Sequence, residues 1–375
     1  MKSLANTQLD AGIIDWPVYM RQALVLAVNV ITTTPNPRVG CVLLNDKTVV
    51  GEGWHVAPGE AHAEVMALRS AGSKASGSTA FVSLEPCAHH GRTGPCANAL
   101  IEAGVNRVVL AAIDPNPEVS GQGVDLLEAA GIEVIHLLDF EAEARAINPG
   151  YFKRRECGRP YVRCKLAMSL DGRTALANGV SKWITGPEAR ADVQRLRAGS
   201  SAILTGVNTV LADNPLLNVR TTEPGLTIST QPLRVILDST MRTPGTARIF
   251  SGDGLVKIFT LEEADVANDL GDNVEIRRVK SSSQRVNLLS VLESLAADYS
   301  CNEVLIEAGS TLSGAFINAE LVDELIVYIA PKLLGNDAKA LLDISGLQSM
   351  SESINFIVSA LSQIGEDIRV TLRPA

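Results

Sequence analysis

The chain has 375 residues, enough for two domains with cores of their own. It is 46% hydrophobic and 20% charged, the make-up of an ordinary globular protein. A net charge of −9 and a pI near 5.2 exclude a general polyanion binder, whose affinity rests on Lys and Arg neutralising phosphates. A local basic pocket for one phosphate stays allowed.

Six dispersed cysteines, Cys41, Cys87, Cys96, Cys157, Cys164 and Cys301, are unlike a disulfide framework, so a cytoplasmic protein is expected. The first residues hold no long apolar core with a small-residue cleavage site. No apolar run approaches the roughly 18 residues of a membrane span, so no membrane partner is expected.

Residues 1–14 read as a tail. Met20, Leu24, Ala27 and Val28 recur at helical spacing and predict a helix over 19–30. Pro35 and Pro37 forbid its continuation. Strands are expected at 39–44 and 48–53, joined by a turn at Asn45-Asp46-Lys47. A helix over 62–71 carries His62 and Glu64 in its first turn. A strand over 79–84 runs into Pro86-Cys87. Pro95 suits the first position of a helix that Cys96 heads and that ends at Ala103. The strand over 107–113 ends in Asp114-Pro115-Asn116-Pro117, where open α/β sheets place binding loops. A helix at 123–130 and a strand at 132–137 complete a layered domain with helices on both faces of a mixed sheet.

His62, Cys87 and Cys96 make a three-ligand set for Zn²⁺, which leaves the fourth tetrahedral position to water. The metal brings the pKa of such a water to roughly 7. Glu64, two residues past His62, can reach that water without being a ligand, which suits a proton shuttle. Zinc deaminases show this pattern as His-x-Glu followed by Pro-Cys-x-x-Cys. Here eight residues separate the cysteines instead of two. Ordinary buried thiols and a surface histidine are the bland alternative. Against it, His55, His62, His89 and His90 are four of the five histidines in the chain. Two helix N-termini at the cluster favour thiolate over thiol.

Residues 148–160 mix Pro, Gly and basic residues and read as a joint with a solvated charge run. A strand over 161–168 meets a turn at Ser169-Leu170-Asp171-Gly172-Arg173. A helix follows through Arg190 and Arg197. A strand over 201–205 ends at Gly206, which lets another element approach closely. A loop spans 213–220, and a strand over 233–237 ends in Asp238-Ser239. Residues 221–232 and 265–285 read as polar and irregular. The strand over 303–307 leads through Ala308-Gly309 into a helix, an arrangement that offers N–H groups and a helix dipole to a phosphate. It is neither a Gly-x-Gly-x-x-Gly fingerprint nor a P-loop, because Ala315 and Phe316 stand where Lys-Ser/Thr is required. Residues 325–330 read as a buried strand. Arg197 and Arg220 can hold a sugar phosphate, or be surface charges. Glu307 stands at a strand end beside a Gly loop, a usual place for a ligand, or is a core acid paired to an arginine.

Asn36-Pro37-x-Val39-Gly40, Gly53-x-His55, His62-Ala63-Glu64, the run from Glu85 through His89-His90-Gly91-Arg92-Thr93 to Cys96, and Asp114-Pro115-Asn116-Pro117 resemble the deaminase domain of bifunctional riboflavin-biosynthesis proteins. Lys165-Leu166-x-x-Ser169-Leu170-Asp171-Gly172-Arg173, Ser181-x-Trp183-Ile184-Thr185, Ala212-Asp213-Asn214-Pro215-x-Leu217, Glu307-Ala308-Gly309 and Ala330-Pro331-Lys332-Leu333-Leu334-Gly335 resemble their reductase half. The resemblance implies an α/β protein. A cytidine-deaminase-like three-layer domain at 15–147 and a linker at 148–160 precede a dihydrofolate-reductase-like domain at 161–375. It implies zinc at His62, Cys87 and Cys96, catalysis by Glu64, and a pyrimidine and ribose-phosphate pocket at Asn36, His55, His89, Arg92, Asp114 and Asn116. It implies NADPH at Ala167, Trp183, Thr209, Asp213, Ser239 and the run Gly309, Ser310, Thr311, Leu312, Ser313, Gly314 and Ala315. Reductase substrate contacts are implied at Ser181, Arg197, Leu217, Arg220 and Glu307.

The expected function is hydrolytic deamination of a diaminopyrimidinone ribosylamine 5′-phosphate, then reduction of the ribosyl group to ribityl. The partner is this small phosphoribosyl pyrimidine, with no nucleic acid, and a homo-oligomer is expected. Two other readings stay open at this stage. One is a nucleobase or tRNA deaminase with an unrelated nucleotide-binding C-terminal domain. The other is a non-catalytic zinc module with a nucleotide-sensing domain.

Overall fold

The computed structural model describes residues 15–88, 94–117, 119–220, 228, 230–265, 270–279 and 284–375. The chain divides into two compact units, Met1–Asn148 and Pro149–Ala375.

The first unit runs α1 (Trp16–Ala27), β1 (Gly40–Asn45), β2 (Thr48–Trp54), α2 (Ala63–Ala71), β3 (Thr79–Val82), α3 (Cys96–Glu102), β4 (Arg107–Leu110), α4 (Gln122–Ala129), β5 (Glu133–His136) and α5 (Glu141–Ile147). Its sheet has the order β2-β1-β3-β4-β5. β1 is antiparallel to β2 and β3, and β3, β4 and β5 are parallel. Asp46 and Lys47 take left-handed φ values of 45° and 68°, the backbone twist that a two-residue hairpin turn needs. Leu43, Val82 and Val108 of the sheet pack with Ala67, Leu100 and Leu127 of the helices in one core.

The Gly-Glu-Gly stretch of β2 sets where α2 lies. A Cβ on Gly53 would sit 2.4 Å from the Ala63 carbonyl oxygen, and one on Gly51 2.3 Å from that of Ala67. Only bare backbone permits this approach. His62 is the extended residue before α2, with φ −73° and ψ 165°, not a first-turn residue. Pro95 likewise precedes α3 in extended form, with φ −60° and ψ 134°, instead of opening it. Helix N-termini leave their first N–H groups without intrahelical partners, and the Cys96 N–H meets the Cys87 sulfur at 3.4 Å.

The second unit runs α6 (Pro149–Cys157), β6 (Tyr161–Ser169), β7 (Arg173–Ala175), α7 (Pro187–Ala198), β8 (Ala202–Gly206), α8 (Val207–Asp213), β9 (Leu233–Leu237), β10 (Val256–Leu261), β11 (Val274–Val279), α9 (Leu288–Ala297), β12 (Glu303–Ile306), α10 (Ser310–Asn318), β13 (Glu324–Ala330), β14 (Lys339–Ala340), β15 (Phe356–Ile364) and β16 (Asp367–Pro374). Nine strands form one sheet in the order β11-β10-β9-β8-β12-β6-β13-β16-β15. It is parallel from β11 to β13, and the β15–β16 hairpin closes it antiparallel to β13. Val162, Leu204, Phe259, Val304 and Phe316 are at the centre of its main core.

α5, α8, β10 and α9 have no counterpart among the expected elements, and three further segments differ from the sequence expectation. The supposed joint contains helix α6, because Pro is tolerated in a first helical turn and Gly150 lets the helix press on its neighbour. A Cβ there would meet the Asn302 carbonyl oxygen at 2.4 Å. β11 falls inside the stretch read as irregular. It is an edge strand with exposed Glu275, Arg277 and Arg278, charges that blunt an edge and hide the strand signal. The β15–β16 hairpin has no counterpart among the expected elements, since β15 is exposed along nearly its whole length and buries no apolar face.

Gly53→Ala should force α2 off β2. The expected cost is about 1–3 kcal/mol, the range for overpacking, read as a lower unfolding midpoint of the first unit with weaker zinc retention.

Candidate active sites

In the first unit, His62, Cys87 and Cys96 converge from three places: the residue before α2, the segment after β3 and the start of α3. The His62 Nδ1 lies 3.2 Å from the Cys96 Sγ and 3.6 Å from the Cys87 Sγ. All three ligand atoms fall within 4.8 Å of one another. Tetrahedral Zn²⁺ with bonds of about 2.1 Å to nitrogen and 2.3 Å to sulfur has edges of about 3.6 Å, so the donor set fits this ion. The Cys87 thiol is held well below its ordinary range, by its hydrogen bond with Cys96 first and by His62 in addition, while burial opposes. The His62 imidazole is raised, first by its hydrogen bond to Cys87.

Glu64 is 3% exposed. Burial raises its carboxyl to about 7, and the nearby Cys87 charge adds to the rise. His55 packs edge-on against His62, with centroids 5.2 Å apart. Its Nδ1 meets the Ala61 carbonyl oxygen at 3.2 Å and its Nε2 meets the Asn36 amide nitrogen at 3.0 Å. Burial lowers the His55 pKa. A neutral ring with its proton on Nδ1 satisfies both contacts, since Nε2 then accepts from the amide. Asp114 and Asn116 are buried in the loop after β4, and the Asp114 Oδ1 accepts the Asn116 N–H at 2.8 Å. His89 and Arg92 lie outside the described residues.

In the second unit a cavity of about 1510 Å³ opens at the carboxyl ends of β6, β8, β9 and β12, the usual place for ligands in a parallel sheet. It exceeds the ~300–1,000 Å³ of a typical small-ligand pocket and so has room for a dinucleotide beside a substrate. Ala167, Trp183, Thr209, Asp213, Ser239, Gly309, Ser310, Thr311, Leu312 and Ala315 line it, as do Ser181, Arg197, Leu217, Arg220 and Glu307. Ser313 and Gly314 do not. Ser313 is fully buried, and a Cβ on Gly314 would sit 2.3 Å from the Asp343 carbonyl oxygen, so both face inward from α10. The residue before them marks the same helix's approach to β8, for a Cβ on Gly206 would touch Leu312 at 3.2 Å. α10 begins at Ser310 on the cavity wall, and its first-turn N–H groups suit a phosphate.

Arg197 grips Glu307 with two hydrogen bonds, of 2.6 and 2.9 Å. Burial works to raise the Glu307 carboxyl, but Arg197, then Lys165 and Arg220, outweigh it and hold the carboxyl below its ordinary range. Both open readings therefore hold together: the pair is buried and it lines the cavity. Lys165 also lines the cavity, with its ammonium 5.8 Å from the centre of the Tyr328 ring. Burial lowers its pKa, against the pull of Glu307. Sequence reasoning assigned Lys165 no site role; its place in an alternating strand, pointing opposite to buried Cys164 and Leu166, was the available signal. Arg242 and Arg248 were missed for a different reason, because they enter the wall from loops far along the chain.

Comparison with known proteins follows the same two-part division. Residues 16–112 match the cytidine and deoxycytidylate deaminase zinc-binding region, and residues 160–370 match the RibD C-terminal domain. The chain is 47% identical to the riboflavin biosynthesis protein RibD of Haemophilus influenzae over 369 residues, covering 95% of this chain and 97% of that one. It is 46% identical to the Escherichia coli protein of the same name, covering 93% and 97%. The chain belongs to the RibD family.

Members of that family are bifunctional, and this chain is a deaminase and a reductase of riboflavin biosynthesis. The RibD structure from Acinetobacter baumannii superposes with a TM-score of 0.89 at 45% identity, covering 96% of this chain and 99% of that one. A diaminohydroxyphosphoribosylaminopyrimidine deaminase/5-amino-6-(5-phosphoribosylamino)uracil reductase from Thermotoga maritima gives 0.83 at 34%, with the same coverage. The match over residues 160–370 removes the reading of a tRNA-type deaminase with an unrelated C-terminal domain. Among the described residues no helix is long and apolar enough to cross a membrane.

Glu307→Gln should destabilise the second unit by about 3–5 kcal/mol, because it leaves Arg197 buried without its charge partner. The Glu307 pKa is depressed in the fold, so the pair's contribution is present above the unfolded value of about 4.3 and is lost as pH falls through the lower folded value. Thermal unfolding of both proteins should show a constant gap from neutral pH to about 5 that closes only at more acid pH.

Proposed function

We propose that the first unit removes the 2-amino group of 2,5-diamino-6-ribosylamino-4(3H)-pyrimidinone 5′-phosphate by hydrolysis. The second unit then reduces the ribosyl chain of the resulting uracil to ribityl with NADPH. The observation that carries this reading is the placement of Glu64, a buried carboxyl beside a His-Cys-Cys set that fits zinc. The Thermotoga maritima relative bears both activities in its name.

Zinc, when bound, acts as a Lewis acid that makes water a nucleophile at neutral pH. Glu64 would take one proton from the attacking water and deliver it to the ring nitrogen, then take the second from the resulting hydroxyl and deliver it to the departing amino group, which leaves as ammonia. His55 and Asn36, held to each other, face the pyrimidine, and Asp114, Asn116, His89 and Arg92 complete the pocket for base and ribose phosphate. In the second unit NADPH supplies the hydride when bound. The N–H groups of Ser310, Thr311 and Leu312 hold its phosphates, and Ala167, Trp183, Thr209, Asp213 and Ser239 line its path. Arg197 and Arg220 bind the sugar phosphate, with Glu307 fixing Arg197, while Ser181 and Leu217 place the substrate. The protein's task at this site is positioning.

A homo-oligomer belongs to the same reading. β15 runs nine residues along the sheet edge without a charge, and Ile357, Val358 and Leu361 are exposed on it. Edges of this kind are covered or charged in stable proteins, and a second copy is the cover proposed. All six cysteines are unpaired, which accords with the reducing cytoplasm.

The first test follows ammonia release and NADPH oxidation together for the wild type and Glu64→Gln. The variant should lose deamination by on the order of 10²-fold or more and still oxidise NADPH when given the deaminated uracil. NADPH oxidation by the variant on the undeaminated compound would reverse the proposed order. Absence of ammonia from the wild type would end the deaminase assignment for this substrate. For the edge strand, Leu361→Lys should lower the mass seen in sedimentation equilibrium, and an unchanged mass rules β15 out as the interface.

A further inference from the structure

Glu85 lies between β3 and Cys87 and is 3% exposed. Its carboxylate is devoted to backbone. One oxygen accepts the N–H groups of Asp114 at 3.2 Å and Gly121 at 3.1 Å. The other accepts those of Gly123 at 3.0 Å and Val124 at 3.3 Å. An ionised carboxylate is an acceptor only, with about four lone-pair sites, so the four donors match its capacity. Two of them come from the first turn of α4, where N–H groups lack helical partners and negative charge is favoured. The other two bracket the loop that carries Asp114 and Asn116.

Inside the loop the Asn116 carbonyl oxygen accepts the N–H groups of Val119 and Ser120, both at 2.8 Å, and Glu85 ties the loop to the Cys87 segment. Pro115 and Pro117 have no N–H to give to a ladder. The segment lies beyond the last residue of β4, Leu110. At its far end Gly123 packs directly on the peptide before Cys87, for a Cβ there would sit 2.0 Å from the Pro86 carbonyl oxygen. Both ends of the loop are therefore tied to the two residues that precede a metal ligand.

We propose that Glu85 is a positioning residue of the deaminase site, one that holds the Asp114–Asn116 loop in register with Cys87. Metal-binding and substrate-binding segments then keep one fixed spacing across the carboxyl ends of β3 and β4. Glu85 touches neither substrate nor metal in this role; it acts through the four N–H groups. The inference rests on the reading of Asp114 and Asn116 as substrate contacts.

The test uses the full zinc-loaded chain with Glu85→Gln, Glu85→Asp and Asp114→Ala. Zinc content, deaminase kcat and KM, and reductase turnover on the deaminated uracil are measured for each. In Glu85→Gln the amide NH₂ would face two N–H donors and release part of the loop. Deaminase kcat/KM should fall by on the order of 10²-fold, the scale of a small misplacement near a reacting centre, with most of the loss in KM. Zinc content and reductase turnover should stay at wild-type levels. Glu85→Asp keeps the charge and should recover part of the KM, which also covers the case in which Glu85→Gln fails to fold. A wild-type KM in Glu85→Gln overturns the proposal. Loss of zinc in step with activity overturns it too, because Glu85 would then support the metal centre and not the loop. If Asp114→Ala leaves KM unchanged, the reading of the loop as a substrate contact falls and takes the proposal with it. If Asp114→Ala raises KM and Glu85→Gln does not, the positioning role alone falls.

Discussion

The close approach of α2 to the bare backbone of Gly51 and Gly53 is the constraint on which the zinc site depends. A Cβ at either glycine would sit 2.3–2.4 Å from a carbonyl oxygen of α2 and would push the helix off the sheet. The helix start carries His62 as its cap and Glu64 in its first turn, and neither is near the cysteines in sequence. Only because α2 lies flat on β2 does the imidazole come within 3.2 Å of Cys96. Glu64 in the first turn of α2 is buried, and burial is the main reason its carboxyl rises to about 7.

Both units put their chemistry at the carboxyl ends of parallel strands, yet they handle charge in different ways. In the first, Cys87, His62 and Glu64 are packed so tightly that each changes the protonation of the others, which is the condition for binding a cation and moving protons. In the second, Arg197, Arg220 and Lys165 share one cavity with the buried acid Glu307. Arg220 is disfavoured in its charged form, first by burial and then by Arg197 and Arg248. Such crowding of cations is costly, and an anion would relieve it. The chain is acidic as a whole, so this concentration of positive charge on the cavity wall is local.

The histidine-rich stretch from His55 to His90 and the Cys-to-Cys spacer made the zinc chemistry legible in the sequence, because metal ligands demand particular residue types. Strand and helix positions in the first unit were legible for a similar reason. Apolar runs such as Val108-Val109-Leu110 and periodic segments such as α2 each have one structural use. β11 and the β15–β16 hairpin were not legible. Strand β15 faces solvent along nearly its whole length and leaves no buried face to read, and in β11 exposed Glu275, Arg277 and Arg278 mask the inward Val274 and Ile276. α6 was hidden by Pro149 and Gly150, which read as breakers but serve as a helix start and a close contact.

Residue type and order by themselves determined the His-Cys-Cys set and the two-domain plan. Tertiary structure alone decided the rest. It paired Arg197 with Glu307 across 110 positions, turned Ser313 and Gly314 away from the cavity, brought Lys165, Arg242 and Arg248 into its wall, and made Glu85 the anchor of a loop that begins 29 residues later. These are matters of direction and distance between elements far apart in the chain. Local sequence carries propensity and chemistry but no record of what faces a side chain across a fold, and that is set only when the sheets and helices pack.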